Sequence, residues 1–176
     1  MLPRGAILRS VTKTLALWLV VSSVVLSVLV LAPAQAAAQV PITKLMTSSD
    51  SGDYIGGGRP HSFTPGDGAF FANAYASTTG GLADTVEVNF NSFDHSQSWD
   101  LRFSTRAMGK PLTPGFYDRA EREPFAEPGH PGIQINANAS GCDVITGNFR
   151  VIDAVFEYSA AQVRTVSFAV EFEQHC

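Results

Sequence analysis

Asp50 and Asp53, in the glycine-rich stretch "SSDSGDYIGGG", come closest to a cation site in this chain. Carboxylates beside hydroxyl and carbonyl oxygens are the hard ligands that calcium takes, so the pair is the candidate calcium site. The spacing is not that of an EF-hand, and Asp-Ser-Gly-Asp is equally a turn closed by Asx hydrogen bonds. No other metal or cofactor is expected. The four histidines, His61, His95, His130 and His175, stand in no ligand spacing, there is no C-x-x-C, and "GGG" is not followed by G-K-S or G-K-T.

Acid-base chemistry would need a convergent pair of carboxylates drawn from Asp94, Asp100, Glu121, Glu123 and Glu127, at a separation that sequence cannot show. "DHS" at 94–96 holds the residue types of a hydrolase triad. Consecutive residues in a turn cannot converge on one imidazole, however, and no G-x-S-x-G elbow presents a serine. No catalytic residue is assigned. Trp99, Tyr54, Tyr75 and Tyr117 are the residues able to stack on a sugar ring; Trp99 alternates with Leu101 and Phe103 and so reads equally as core. "NAS" at 138–140 has the form of a glycosylation sequon.

The chain's two cysteines, Cys142 and Cys176, bracket its last two apolar runs. Adjacent residues on a strand face opposite ways, so His175 is not placed to activate Cys176, and a His-Cys metal site lacks further ligands. With "SAAQ" as a hairpin turn, both cysteines fall at the open end of one ladder, and an extra residue at Gly147 would bring them closer in register. In an exported chain a disulfide is the favoured state of such a pair.

The elements that must hold these residues have a period of two nearly everywhere. Strands are predicted over 42–48, 61–65, 69–77, 84–92, 97–105, 115–120, 132–139, 149–158 and 163–173, with "GGGRP", "PGDG", "TTGG", "PLTPG" and "EPGHPG" as turns. This pattern predicts an all-β fold, a single antiparallel β-sandwich of jelly-roll or Ig-like form, with a barrel as the second form. In the last strand Val166, Phe168, Val170 and Phe172 share the buried face. The strand before it carries Val151 and Val155 on one face and Ile152, Phe156 and Tyr158 on the other, which places it inside its sheet. Residues 118–132 read as a long connection whose Phe125 plugs the core edge.

Residues 1–36 have the layout of an export signal. Arg4, Arg9 and Lys13 precede an uncharged apolar run of about 18 residues, and "PAQAAAQ" offers A-x-A cleavage after Ala36 or Ala38. The run is long enough that an uncleaved membrane anchor is the rival reading. Otherwise the product is secreted, periplasmic or held at the cell surface, with no membrane insertion, and 37–176 form one domain. Of 12 Lys and Arg, three lie in the signal, which leaves nine against 16 Asp and Glu. That balance argues against nucleic acid as a partner.

"GDYIGGG", "SWDLRF", "PLTPGFYDRA" followed by "REPF", "GCDVITGNF" and the closing "FEQHC" form an ordered set over roughly Leu45 to Cys176. The set resembles an uncharacterised family of exported bacterial β-rich domains. The chain departs from that family at "STRAMGK", where the family carries an Ala-Pro turn. The resemblance implies export, one compact domain and a Cys142–Cys176 bridge, and it brings no catalytic residue. The function expected is an exported binding or structural module for an extracellular glycan or protein. The alternative is an extracellular hydrolase using paired carboxylates.

Overall fold

Nine strands follow one another along the computed structural model, which describes residues 43–77, 80–160 and 162–176. They are β1 (Leu45–Thr47), β2 (His61–Phe63), β3 (Gly68–Tyr75), β4 (Thr85–Ser92), β5 (Ser98–Ser104), β6 (Gly115–Arg122), β7 (Gly132–Ala137), β8 (Thr146–Tyr158) and β9 (Val163–His175). Each predicted run is matched by one strand. The predicted export signal and its expected cleavage site lie outside the described residues, all of which belong to the unit Gln39–Cys176. Among the described residues no helix is long and apolar enough to cross a membrane.

The all-β class holds, and its form is the barrel. Seven strands make one sheet in the order β3-β4-β5-β7-β6-β8-β9, curled until it is nearly closed, and β1 pairs with β2 in a small second sheet. The sheet is mixed, because β6 and β7 run parallel through Glu121↔Gly132 and Arg122↔Ile133. Period-two alternation sends one face of every strand inward. Across the register, Phe70, Phe90, Trp99 and Ala137 form one inner row, and Ala74, Val86, Phe103 and Ile133 another. The small sheet packs on the Phe90–Trp99 end of this core: the Phe63 ring stacks on Phe90 at 4.4 Å and the His61 ring meets Trp99 at 5.1 Å.

Two expectations about β8 and β9 need correction. Ile152 in β8 and Val166 in β9 are left out of the ladder at register shifts. Each extra residue turns the strand over, so Val155 and Val166 are exposed while Ala154, Phe156 and Phe168 pack on the core. β8 does lie inside the sheet, between β6 and β9. The long connection is also shorter than expected, since β6 runs to Arg122. Phe125 does not plug the core: it is exposed, with the Arg122 guanidinium 5.2 Å from its ring centre.

The Ser159–Gln162 link closes the β8–β9 hairpin through Ser159 N donating to Gln162 O at 2.9 Å. At the open end Cys142 and Cys176 are joined, with Cα atoms 5.4 Å apart, inside the range a disulfide spans. No bulge at Gly147 is involved, because the pairing from Thr146↔His175 to Val151↔Val170 is regular. The turn before β8 delivers Cys142 instead. Gly147 is required for another reason: a Cβ there would run into the backbone carbonyl of Glu173.

Candidate functional site

The outward faces of four neighbouring strands set polar side chains in rows. Phe71, Asn89, Asp100 and Asn136 face one another across β3, β4, β5 and β7, and Asn73, Glu87, Arg102 and Gln134 make the next row. Antiparallel pairing brings directly opposed residues to about 4.5–5.5 Å, so each row is a line of neighbouring side chains, all of them amides or charges except Phe71.

Loops turn part of this face into a cleft. Arg122 and Glu123 rise on one side, and residues 139–141 with Asp143 rise on the other, enclosing about 400 Å³ over Asp100, Arg102, Gln134 and Asn136. A second hollow of about 430 Å³ continues over Asn89, Asn91 and Ser98 to Phe71. Asn138 and Ala139, at φ 51° and 63°, form the tight turn between the two hollows, and Asn138 Oδ1 accepts from Ser98 N at 2.9 Å. At the far side the Tyr54 hydroxyl donates to Gly141 O at 3.1 Å. Exposed aromatic rings, Tyr54 and Phe71, thus stand at opposite ends of the strip.

The charges in the cleft are unevenly satisfied. Arg102 Nη2 binds Glu87 Oε2 at 2.5 Å, and Arg122 Nη1 donates to Asp143 O at 3.1 Å. Burial pushes the Asp100 carboxyl up, Glu87 pushes it further, and Arg102 opposes both. Asp100 Oδ1, Arg102 Nε and Arg122 Nε are each buried with no hydrogen-bond partner among the described residues. A buried polar atom without a partner costs about 1–3 kcal/mol, so one acceptor and two donors here are left wanting a ligand or water.

Glu123 closes the cleft floor. Its side chain is 3% exposed, and Arg106 Nη1 lies 3.8 Å from Oε1 while Arg106 Nε lies 3.8 Å from Asp84 Oδ1. Gly132 makes room for this carboxyl, because a Cβ there would overlap Glu123 Oε2. Burial raises the Glu123 pKa, and Arg106 only partly offsets it. A carboxyl raised on folding contributes stability that is full below its unfolded pKa and is lost as pH climbs through the folded value. Glu123→Gln is therefore expected to shrink the fall in urea midpoint between about pH 4 and about pH 7 relative to the unaltered chain. An equal fall in both would show that Glu123 keeps its charge on folding.

The remaining candidates from the sequence are occupied elsewhere. Asp53 accepts from Ile55 N and Gly56 N, both at 3.0 Å, as an Asx turn does, while Asp50 O accepts from Asp53 N. Among the described residues no group of three His, Cys, Asp or Glu is arranged to hold a metal. Asp94 accepts from Ser92 Oγ at 2.6 Å and from Ser96 N and Oγ, which lowers its pKa to about 2. "DHS" is thus a turn, with His95 at φ 59°.

Glu121 faces His130 Nδ1 at 2.6 Å and accepts from Glu127 N, clear of the cleft. His175 pairs with Glu173 at 3.0 Å, and His61 Nε2 lies 2.7 Å from Gly56 O. Tyr117 is buried against Phe149 and donates to Thr113 O, and Trp99 is core, so neither meets a sugar. Arg102, Gln134, Asn136, Asn89 and Phe71 were missed. Alternation within each strand places them on the outer face, but nothing local reveals that β5 neighbours β7.

No family model, curated protein or solved structure matches the chain.

Proposed function

We propose that the chain is an exported binding module whose outer polar face takes up an extracellular glycan. The observation that carries this reading is the strip of amide, carboxylate and guanidinium groups, with its three unpartnered buried polar atoms and an exposed ring at each end. A sugar hydroxyl both donates and accepts, so neighbouring hydroxyls can satisfy Asp100 Oδ1 and the two Arg Nε groups together. Flat apolar sugar faces suit Phe71 and Tyr54. The leader layout, the cysteine bridge and the motif resemblance support export.

Hydrolysis by paired carboxylates draws on Asp100 and Glu123, which share the cleft and are both raised. Glu123 packs beside Gly132, which is opposite Ser104, four residues along β5 from Asp100. That is about 13 Å of strand, with Arg102 between, against the roughly 5–9.5 Å separation of glycosidase pairs. Spacing favours binding without turnover.

Affinity electrophoresis of the oxidised domain, in gels carrying a panel of soluble neutral and acidic polysaccharides, tests the proposal. At least one glycan should retard the protein without releasing new reducing ends. Asp100→Ala should weaken that retardation about tenfold to a hundredfold, as expected for a lost hydrogen bond to a charged group. No retardation anywhere, or retardation indifferent to Asp100→Ala at unchanged melting temperature, would contradict it.

A further inference from the structure

The outward side of the β8–β9 ladder runs between two charged ends. At one end Arg150 stands opposite Glu171, and at the other Glu157 stands opposite Arg164, whose Nη2 lies 2.5 Å from Glu157 Oε2. All four residues are exposed. Between them Asp153, next to the bulged Ile152, stands opposite Ala169, and Val155 stands opposite Ser167, next to the bulged Val166. Ile152, Val155 and Val166 are 54%, 46% and 48% exposed, while Asp153 accepts from Ser167 Oγ. Half-exposed aliphatic side chains inside a frame of charges have the make-up of a contact surface, an apolar centre with a polar rim.

The frame is complementary to itself. In a two-fold interface each patch meets its own copy, so residue i touches residue j and j touches i. An axis parallel to the strands, above the line between β8 and β9, lays β8 of one protomer on β9 of its partner. Arg150 then meets the partner's Glu171, and Glu157 meets the partner's Arg164, each contact occurring twice. Size matches in the same arrangement, because the bulky Ile152 and Val155 of β8 come over the small Ala169 and Ser167 of the partner's β9. Asp153 also comes over Ala169 and meets no like charge. An axis running across the strands would pair opposite charges too, Arg150 with Glu157 and Glu171 with Arg164. It would, however, set Asp153 close to its own copy, and like charges so placed repel.

We infer that the outward β8–β9 face binds a second copy of this chain, in a symmetric dimer whose strands lie along the two-fold axis. The chain's formal net charge of -4 opposes self-association, so the attraction comes from this local pattern. A strip about 20 Å long and two strands wide is smaller than the roughly 800 Å² that each partner of a standard interface contributes, so the dimer is weak and reversible. This face is separate from the polar rows of β3, β4, β5 and β7 and does not depend on glycan binding.

Sedimentation equilibrium of the oxidised protein, over about 10 μM to about 1 mM, reads the association. The mass should rise with concentration from monomer toward dimer. Arg150→Glu sets acid over acid at both symmetric contacts and should weaken the dimer about tenfold or more; Glu171→Arg sets base over base and should do the same. Both positions are exposed, so each variant should keep the fold. An equal mixture of the two variants places acid over base at both contacts and should recover dimers of mixed composition. Mixing cannot repair a loss that arises within one chain. A monomer mass held up to millimolar protein, variants that associate as the unaltered chain does, or a mixture no more dimeric than its components would overturn the inference.

Discussion

Phe103→Ala is expected to lower the unfolding free energy by about 3–5 kcal/mol, the largest loss of any single truncation considered. Phe103 is fully buried, and its ring centre lies 5.3 Å from Phe149, 5.9 Å from Phe168 and 5.7 Å from Phe172. It sits on β5, whereas Phe149 is on β8 and the other two are on β9, beyond β7 and β6 in the sheet. In a flat sheet those strands would stand about 15–20 Å apart, so these contacts exist only because the sheet curls. Truncation leaves a cavity between walls that the ladders hold in place, and little can collapse to fill it. Phe116→Ala, on the outward face of β6, should cost no more than about 1 kcal/mol, chiefly its contact with Arg150. Urea unfolding of the two variants checks both values. A Phe103→Ala loss below about 1.5 kcal/mol would mean that the two walls do not share a core.

Replacing both cysteines, Cys142→Ala with Cys176→Ala, is expected to cost about 3–4 kcal/mol. The bridge ties residues 34 apart in sequence, and a loop of that length gives this value in the chain-entropy treatment. Against a usual domain stability of about 5–15 kcal/mol, the loss shows as a large drop in urea midpoint. Cys142 is 1% exposed, so alanine is the substitution that keeps its site apolar without stranding a hydroxyl. The bridged ends meet where β8 and β9 pair regularly, so the folded hairpin should persist and the effect should fall on the unfolded chain. A change under about 1 kcal/mol would show that the reduced chain is already held together there.

All nine strands were legible, because period-two alternation and Gly-Pro turns are local signals that each strand carries by itself. That two cysteines flank one open hairpin end was legible, but the route was not: the turn before β8, and not an extra residue at Gly147, brings Cys142 to Cys176. Face assignments failed where an unpaired residue turned a strand over: Val155 and Val166 fit the apolar pattern of a buried face, yet Ile152 and Val166 drop out of the ladder and expose them. Nothing in "RVIDAVFEY" distinguishes the bulged Ile152 from a paired residue. Strand order was equally hidden. β5 pairs with β7 across the omitted β6, and that swap alone sets Asp100 against Asn136 and Arg102 against Gln134. Asp100 and Glu123 were therefore visible as carboxylates but not as residues of one cleft.

The most direct test of the polar face is to map the backbone amide shifts of the oxidised domain by NMR during titration with the glycan that retards it most. Saturable shifts are expected, centred on Asn89, Asp100, Arg102, Gln134 and Asn136, with Tyr54 and Phe71 at the margins. Shifts confined to other surfaces, or none at saturation, would contradict glycan binding at this face.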